Sequence, residues 1–144
     1  MAHADATVVI NKPVNEVFQF LADGLNNSLW RPSVTDVRLQ IGRPFSVGAI
    51  YKQGIKGPGG KRVDGDYEIT QYKQNEEISF QVVAGPARPK GTIKIAYVNE
   101  GTRVQFILDY KPKGWFKLRE SLFTKAMQDE VSNLNNLKAY LEKT

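Results

Sequence analysis

The spacing of apolar residues changes along the chain, and each change marks a predicted element. Residues 6–10 form a short β-branched run, and Pro13 then opens a segment with apolar residues at helical spacing: Val14, Val17, Phe18 and Leu21. Leu25 and Leu29 make a second helical turn, which ends before Pro32 because proline disfavours the α conformation in the residue before it. The opening pattern therefore predicts a strand followed by two short helices.

Beyond residue 34 the apolar residues recur at every second position, as in strands with one buried face. Polar turn signals separate these runs at residues 74–76 and 99–101, and a further strand is expected near residues 49–53. The apolar members of the alternation are Val37, Leu39, Ile41, Val63, Tyr67, Ile69, Ile78, Phe80, Val82, Ile93, Ile95, Tyr97, Val104, Phe106 and Leu108. Clean alternation with short turns is typical of an antiparallel meander.

Residues 115–144 return to helical spacing and predict one amphipathic helix, roughly 40 Å long at about 1.5 Å per residue. Its apolar stripe consists of Trp115, Leu122, Ala126, Leu134, Leu137 and Leu141. Arg119 and Glu130 interrupt that stripe, and they lie too far apart, at roughly 16 Å, to pair with each other. The predicted sheet has only this helix to cover its apolar face, which indicates an α+β fold with space between a curved sheet and a straight helix.

Composition narrows the class of protein. The 144 residues predict a single domain spanning residues 1–144, with enough chain for one hydrophobic core. Hydrophobic residues at 41% and charged residues at 24% are ordinary values for a globular protein. The absence of cysteine excludes disulfides and thiolate chemistry. The opening residues lack a signal-peptide pattern and no apolar run is long enough for a membrane span, so we expect a cytoplasmic protein.

The net charge of +5 raises the question of a nucleic-acid partner. The basic residues are dispersed and no recognition motif is present, so we expect no nucleic-acid binding. The densest basic cluster surrounds two aromatic residues and consists of Lys111, Lys113, Lys117 and Arg119 beside Trp115 and Phe116. We expect no stable membrane insertion from this cluster. Two interpretations remain open: a peripheral contact with an anionic surface, or the solvated start of a helix.

Several segments, taken in their order and spacing, resemble a known superfamily. They are ATVVINKPVNEVFQFLAD, NNSLW, GRPFSVGAIYK, EITQYKQNEEISFQV, GTRVQFILDYKPKG and EVSNLNNLKAYLE. In these segments the chain resembles the helix-grip superfamily of START-related and Bet v 1-like proteins (SRPBCC), and most closely its polyketide cyclase and dehydrase branch. The resemblance implies a curved antiparallel sheet of about six to seven strands on a long C-terminal helix, with two short helices after the first strand. It also implies a ligand cavity between sheet and last helix, but no shared catalytic signature.

Residues suited to catalysis are scarce. His3 is the only histidine and we expect it in a frayed terminus, which leaves no Ser-His-acid triad and no histidine-based metal site. Asp64, Asp66 and Glu68 share one strand face, and alternation places that face in solvent. The glycine-rich residues 57–62 do not match a phosphate-binding loop and predict a hairpin connection or a flap at a cavity mouth. We therefore predict no catalytic residue, no metal site and no cofactor.

The candidate binding site consists of inward-facing aromatic residues and the two charges of the last helix. The aromatic residues are Trp30, Tyr51, Tyr67, Phe80, Tyr97, Phe106, Tyr110 and Phe123. Buried tyrosine hydroxyls need partners, which favours a pocket holding water or ligand over the alternative of an ordinary core. An unpaired buried charge costs several kcal/mol. Glu130 is therefore the candidate deep anchor and Arg119 the candidate rim residue, with structural pairing as the alternative for both.

The leading functional hypothesis is noncatalytic binding or transport of an apolar or amphipathic small molecule, such as a lipid, a polyketide or an aromatic compound, by a monomer or homodimer. One alternative is a cyclase, dehydratase or isomerase that uses Glu130 as acid or base and a tyrosine as hydrogen-bond donor. A Glu130 paired with arginine or lysine would argue against that enzyme. The other alternative is a module that docks a partner or a membrane through residues 111–119.

Overall fold

A computed structural model describes residues 1–143, without the side chains of Pro58 and Trp115. Its strands are β1 Ala2–Ile10, β2 Val34–Ile41, β3 Ile50–Lys56, β4 Arg62–Asp64, β5 Tyr67–Lys73, β6 Glu77–Val82, β7 Lys90–Val98 and β8 Gly101–Tyr110. Its α-helices are α1 Val14–Ala22, α2 Asn27–Trp30, α3 Glu120–Val131 and α4 Leu134–Glu142. Short 3-10 helices lie at Gly24–Asn26, Pro58–Gly60 and Gly114–Arg119.

The strands form one antiparallel sheet in the order β1-β8-β7-β6-β5-β3-β2, with β4 paired to β3. The predicted α+β helix-grip fold, with two short helices after the first strand, is confirmed. The first strand is longer than the apolar run at residues 6–10 because β8 continues to Tyr110, whose register partner is Ala2. His3 therefore lies within a paired strand, opposite Asp109, and the expectation that it occupies a frayed terminus is wrong.

The hydrophobic core lies between the concave face of the sheet and the helices. In β8, alternate residues from Thr102 to Leu108 face this core and none is more than 4% exposed. From the helical side the core receives Val17, Phe18, Leu21, Met127, Val131, Leu134, Leu137 and Leu141. The alternation in the sequence thus predicts correctly which face of β8 is buried.

The C-terminal helical segment is long, as predicted, but it is divided into three parts. A 3-10 helix at Gly114–Arg119 precedes α3, and Ser132 and Asn133 form a turn between α3 and α4. A 3-10 helix turns by about 120° per residue instead of about 100°, so a stripe aligned on residue 115 does not continue into α3. Within α3 the buried residues are Met127 and Val131, whereas Leu122 is 59% exposed and Ala126 is also exposed.

Arg119 also lies outside the buried face of the last helical segment. This residue lies at the end of the 3-10 helix and its side chain is exposed, so the prediction that it lies on the apolar face is wrong. The predicted place of Trp115 on that face falls outside the described side chains. Within residues 1–143, no helix is both long and apolar enough to span a membrane.

Candidate functional site

Glu130 is the centre of a buried polar contact between the last helical segment and the connection between α2 and β2. Its Oε1 accepts a hydrogen bond from Arg31 Nε, and its Oε2 accepts one from Ser33 Oγ at 2.8 Å. The side chains of Arg31 and Glu130 are only 11% and 17% exposed. Asn133 Nδ2 adds a longer contact of 3.4 Å to Oε1. Glu130 is therefore paired within the protein, which is the structural alternative to a ligand-facing role.

Burial and pairing act on the acidity of Glu130 in opposite directions. Desolvation raises the pKa of the carboxyl group, whereas the charge of Arg31 and the hydrogen bonds from Arg31, Ser33 and Asn133 lower it, and the net pKa is lowered from its usual 4.5. Glu130 is thus ionised at neutral pH, and each of its carboxylate oxygens accepts a hydrogen bond. This geometry suits a structural ion pair and not a proton donor.

Most of the predicted aromatic residues do meet inside the molecule. Tyr51 stacks on Tyr67 with ring centroids 5.3 Å apart, and Tyr67 lies 5.3 Å from Phe80. Phe106 continues the row at 6.4 Å from Phe80 and 6.0 Å from Trp30. These rings fill the space that the fold leaves under the sheet, and each aromatic pair contributes about 0.5–1.5 kcal/mol beyond its buried area.

A glycine in β7 is one reason why the interior is so full. A Cβ atom at Gly91 would lie 2.1 Å from Phe80 Cζ, so the ring of Phe80 occupies the position that a side chain on β7 would take. The internal cavity that remains beside Trp30, Tyr67 and Phe106 measures about 30 Å³. A volume of this size holds about two water molecules. The cavity expected between sheet and last helix is therefore only a small chamber in this structure.

That chamber contains the buried polar groups of α2. Asn27 Nδ2 donates to Tyr67 Oη at 2.8 Å and to Gln53 Oε1 at 2.9 Å. Burial raises the pKa of Tyr67, while the charge of Arg31 and the bond from Asn27 lower it; the net pKa is raised, so the hydroxyl stays neutral. Trp30 Nε1 is buried without a hydrogen-bond partner among the described residues, which makes it the natural donor to a water in the chamber.

Tyr97 and Phe123 differ from the other predicted site residues. Tyr97 is 75% exposed, and the prediction that it faces inward is wrong. It is the second-last residue of β7, next to the turn into β8. Phe123 is partly buried on α3 and contacts Tyr110 and Phe116, with ring centroids 5.1 and 5.8 Å apart. Phe123 therefore belongs to a second aromatic group, away from the internal row.

This second group adjoins an open groove of about 680 Å³ at one end of the sheet. The groove lies where β1 and β7 begin, where β6 and β8 end, and beside the 3-10 helix at Gly114–Arg119. Its lining residues are Met1, Gln81, Pro86, Arg88, Lys90, Asp109, Tyr110, Lys111, Lys113 and Phe116. The sequence indicates a basic cluster at the lysines near Phe116, but it does not predict the groove. Arg88 and Lys90 reach this place only through the pairing of β7 with β8.

Carboxylates on the outer face of the sheet are paired with basic neighbours. Arg62 Nε and Nη2 donate to Asp36 at 2.9 and 3.0 Å, and Arg62 Nη1 donates to Asp64 at 2.9 Å. The hydrogen bonds from Arg62 lower the pKa of Asp36 to about 2. Lys52 Nζ lies 3.8 Å from Asp66. In the described part of the chain, no group of three or more histidine, cysteine or acidic residues could hold a metal ion.

His3 connects β1 to β8 beside the groove. Its Nδ1 lies 2.6 Å from Asp109 Oδ1 and its Nε2 lies 2.8 Å from Asp5 Oδ2. The hydrogen bonds to Asp109 and Asp5 raise the pKa of His3 above its usual 6.5. Both ring nitrogens donate only when the imidazole is protonated, so the bridge is complete at low pH.

We expect the thermal unfolding midpoint to fall as the pH rises through the raised pKa of His3. A raised pKa in the folded state means that the stabilisation is complete below pH 6.5 and is lost above the folded pKa. Unfolding curves from pH 5.5 to 9, measured for the wild type and for His3→Gln, test this, since glutamine has no charge to lose. Parallel pH profiles for the two proteins would contradict the prediction.

Comparisons with known proteins show a match to one protein family and a fold shared with several solved structures. The model of the family described as "Polyketide cyclase / dehydrase and lipid transport" matches residues 1–142. A crystal structure of a Thermus thermophilus protein is similar with a TM-score of 0.79 and 21% identity, over 95% of this chain and 94% of that one. A START superfamily protein from Mycobacterium smegmatis has a TM-score of 0.79 and 14% identity, over 99% of both chains. No curated protein is significantly similar in sequence.

Proposed function

This chain belongs to the polyketide cyclase / dehydrase and lipid transport family, and we propose that it binds and carries an apolar or amphipathic small molecule. We further propose that residues 1–144 act as one domain in this role. The observation that supports the proposal is the open groove of about 680 Å³, which lies within the range of 300–1,000 Å³ typical of ligand pockets. The internal chamber of about 30 Å³ suits water rather than such a ligand.

The floor of the groove is suited to an apolar group. Tyr110 and Phe116 line it, and both contact Phe123 on α3, which packs against the core. The groove thus adjoins the line along which the last helical segment meets the sheet. An aromatic floor stabilises a bound alkyl chain or ring by removing its surface from water, at about 25 cal/mol per Å². Among the predicted binding residues, Phe123 supports this place through its contacts with Tyr110 and Phe116, whereas the internal aromatic row, Tyr97, Arg119 and Glu130 do not line the groove.

An enzyme that uses Glu130 as its acid or base is not favoured. The carboxylate is bonded to Arg31 and Ser33, and its lowered pKa leaves no proton to donate at neutral pH. A general base would have to break those bonds before accepting a proton. The ion pair therefore supports a role for Glu130 in holding the last helical segment against the connection between α2 and β2.

We expect the wild-type protein to bind the neutral fluorescent probe N-phenyl-1-naphthylamine, and Phe116→Ala to weaken that binding by about tenfold. The loss of one aromatic contact of about 1.4 kcal/mol corresponds to that factor. A fluorescence titration at fixed ionic strength measures both dissociation constants. Tyr97→Ala is the matched control, because it removes an aromatic ring that is 75% exposed at the other end of β7.

Two results would count against the proposal. In the first, the wild-type protein does not enhance probe fluorescence and native mass spectrometry finds no co-purifying small molecule. In the second, Tyr97→Ala weakens binding as much as Phe116→Ala does, which would place the probe outside the groove.

A further inference from the structure

The polar rim of the groove is strongly basic. Arg88, Lys90, Lys111 and Lys113 line it, and none of these four side chains forms an ion pair with any residue that the structure describes. Asp109 is the single carboxylate among the lining residues, and its Oδ1 already lies 2.6 Å from His3 Nδ1. The rim therefore carries an excess of positive charge that no side chain of the described protein neutralises.

The backbone holds these cations together at one end of two strands. Lys90, the first residue of β7, is the register partner of Asp109, the second-last residue of β8. Arg88 precedes that register pair by two residues and Lys111 follows it by two, so both extend from the same end of the pair of strands. Lys113 comes next, directly before the 3-10 helix that contains Phe116. The register of β7 and β8 thus brings together two basic segments that are distant in sequence.

The loop that contains Arg88 is held in a defined conformation. Gln81 Nε2 donates to the Arg88 carbonyl oxygen at 2.9 Å, and Arg88 Nε donates to the Gly85 carbonyl oxygen at 3.2 Å. Gly85 has a φ of +91°, and a Cβ atom there would lie 2.0 Å from the carbonyl oxygen of Asp64. The loop therefore packs directly on the backbone at the end of β4. A preformed loop loses less conformational entropy when an anion binds than a disordered one does.

We propose that the ligand of this groove is an amphiphile with an anionic head group, a carboxylate or a phosphate, which the four basic side chains bind. The like charges of Arg88, Lys90, Lys111 and Lys113 repel one another, and an anion between them removes that repulsion. The alkyl or aromatic part of the same molecule lies on Tyr110 and Phe116. This inference rests on the proposed function and adds the charge of the ligand to it.

The arrangement favours a single amphiphile over a flat membrane surface. The four cations line a concave groove together with apolar residues, which matches one molecule that has both a charged and an apolar end. Leu118 and Leu122 are 87% and 59% exposed in the neighbouring helical segments, but they are not among the residues that line the groove. Docking to an anionic membrane is therefore less favoured than binding of one amphiphile, and the experiment distinguishes the two.

The test compares decanoate with decanol, two ligands of equal chain length that differ in charge at pH 8. Isothermal titration calorimetry with the full chain is expected to show that decanoate binds about tenfold more tightly than decanol. The double variant Lys111→Gln/Lys113→Gln, and separately Arg88→Gln, are expected to weaken decanoate binding about tenfold and to change decanol binding less than twofold. Lys125→Gln is the control, because Lys125 is 76% exposed on α3 and does not line the groove.

The outcomes separate this inference from the proposed function. Equal affinity for decanoate and decanol, or charge variants that bind decanoate as the wild type does, would overturn the anionic head group and leave binding of apolar molecules intact. Failure of both ligands and of the neutral probe to bind would overturn the proposed function. The lysine substitutions could instead abolish binding to phosphatidylglycerol vesicles and leave the affinity for decanoate unchanged. That result would assign the lysines to membrane docking and overturn the inference.

Discussion

Replacement of Glu130 by alanine is expected to lower the free energy of unfolding by about 3–5 kcal/mol. The reason is that Arg31, whose side chain is 11% exposed, would stay buried without its counter-charge, and breaking a buried pair costs this much. Ser33 Oγ would lose its acceptor at the same time. Urea denaturation at pH 7, followed by circular dichroism, measures the change.

Asp129→Ala is the matched control for this prediction. Asp129 is the neighbouring residue on α3, is 72% exposed and pairs with Lys125 at 3.7 Å. An exposed pair of this kind contributes at most about 1 kcal/mol, so the control is expected to change stability little. Equal effects of the two substitutions would show that the Arg31–Glu130 pair does not stabilise the fold.

The contribution of Glu130 is also expected to depend on pH. Its pKa in the folded state lies below the ordinary 4.5, so its stabilisation is present at neutral pH and is lost as the pH falls through the folded pKa. The difference in stability between the wild type and Glu130→Ala should therefore shrink between pH 5 and pH 2. A difference that stays constant over this range would mean that the carboxylate charge is not what stabilises the contact.

Leu137→Ala is expected to lower the free energy of unfolding by about 2–5 kcal/mol, whereas Leu122→Ala should change it by no more than about 0.5 kcal/mol. Both leucines belong to the stripe predicted for residues 115–144. In the structure Leu137 is 0% exposed on α4 and Leu122 is 59% exposed on α3. Removal of a fully buried side chain leaves a cavity, and removal of an exposed one does not.

The two leucine variants therefore test which face of the last helical segment is buried against the sheet. Parallel urea denaturation curves with unchanged slopes allow the two midpoints to be compared directly. Equal destabilisation by both substitutions would mean that Leu122 packs against the sheet in solution. It would also support the apolar stripe predicted from the spacing of residues 115–144.

The roles of the last helical segment are divided between its parts. Glu130 and α4 attach the segment to the connection between α2 and β2 and to the core, through the ion pair with Arg31 and the buried leucines. The 3-10 helix borders the groove through Phe116, whose ring contacts Phe123 on α3. This division explains why the deep charge is structural while the proposed binding residues lie near the start of the segment.

Sequence reasoning predicted the sheet well because side-chain alternation is a local property of an extended chain. It was less successful with Glu130, since the partner Arg31 lies 99 positions away and nothing local indicates which distant charges will meet. The inward direction of Tyr67, Phe80 and Phe106 was predictable from the alternation of side chains along their strands. The volume left between them was not, because it depends on details such as the ring of Phe80 lying over Gly91.

The sequence alone determined the order of the elements, the buried face of most strands, the family resemblance and the shortage of catalytic groups. These follow from spacing, from turn residues and from the residue types present. Only the tertiary structure decided that the interior is filled, that Glu130 pairs with Arg31, and that Arg88 and Lys90 join Lys111 and Lys113 at one groove. Each of these depends on strand register and helix phase, which bring together residues that are distant along the chain.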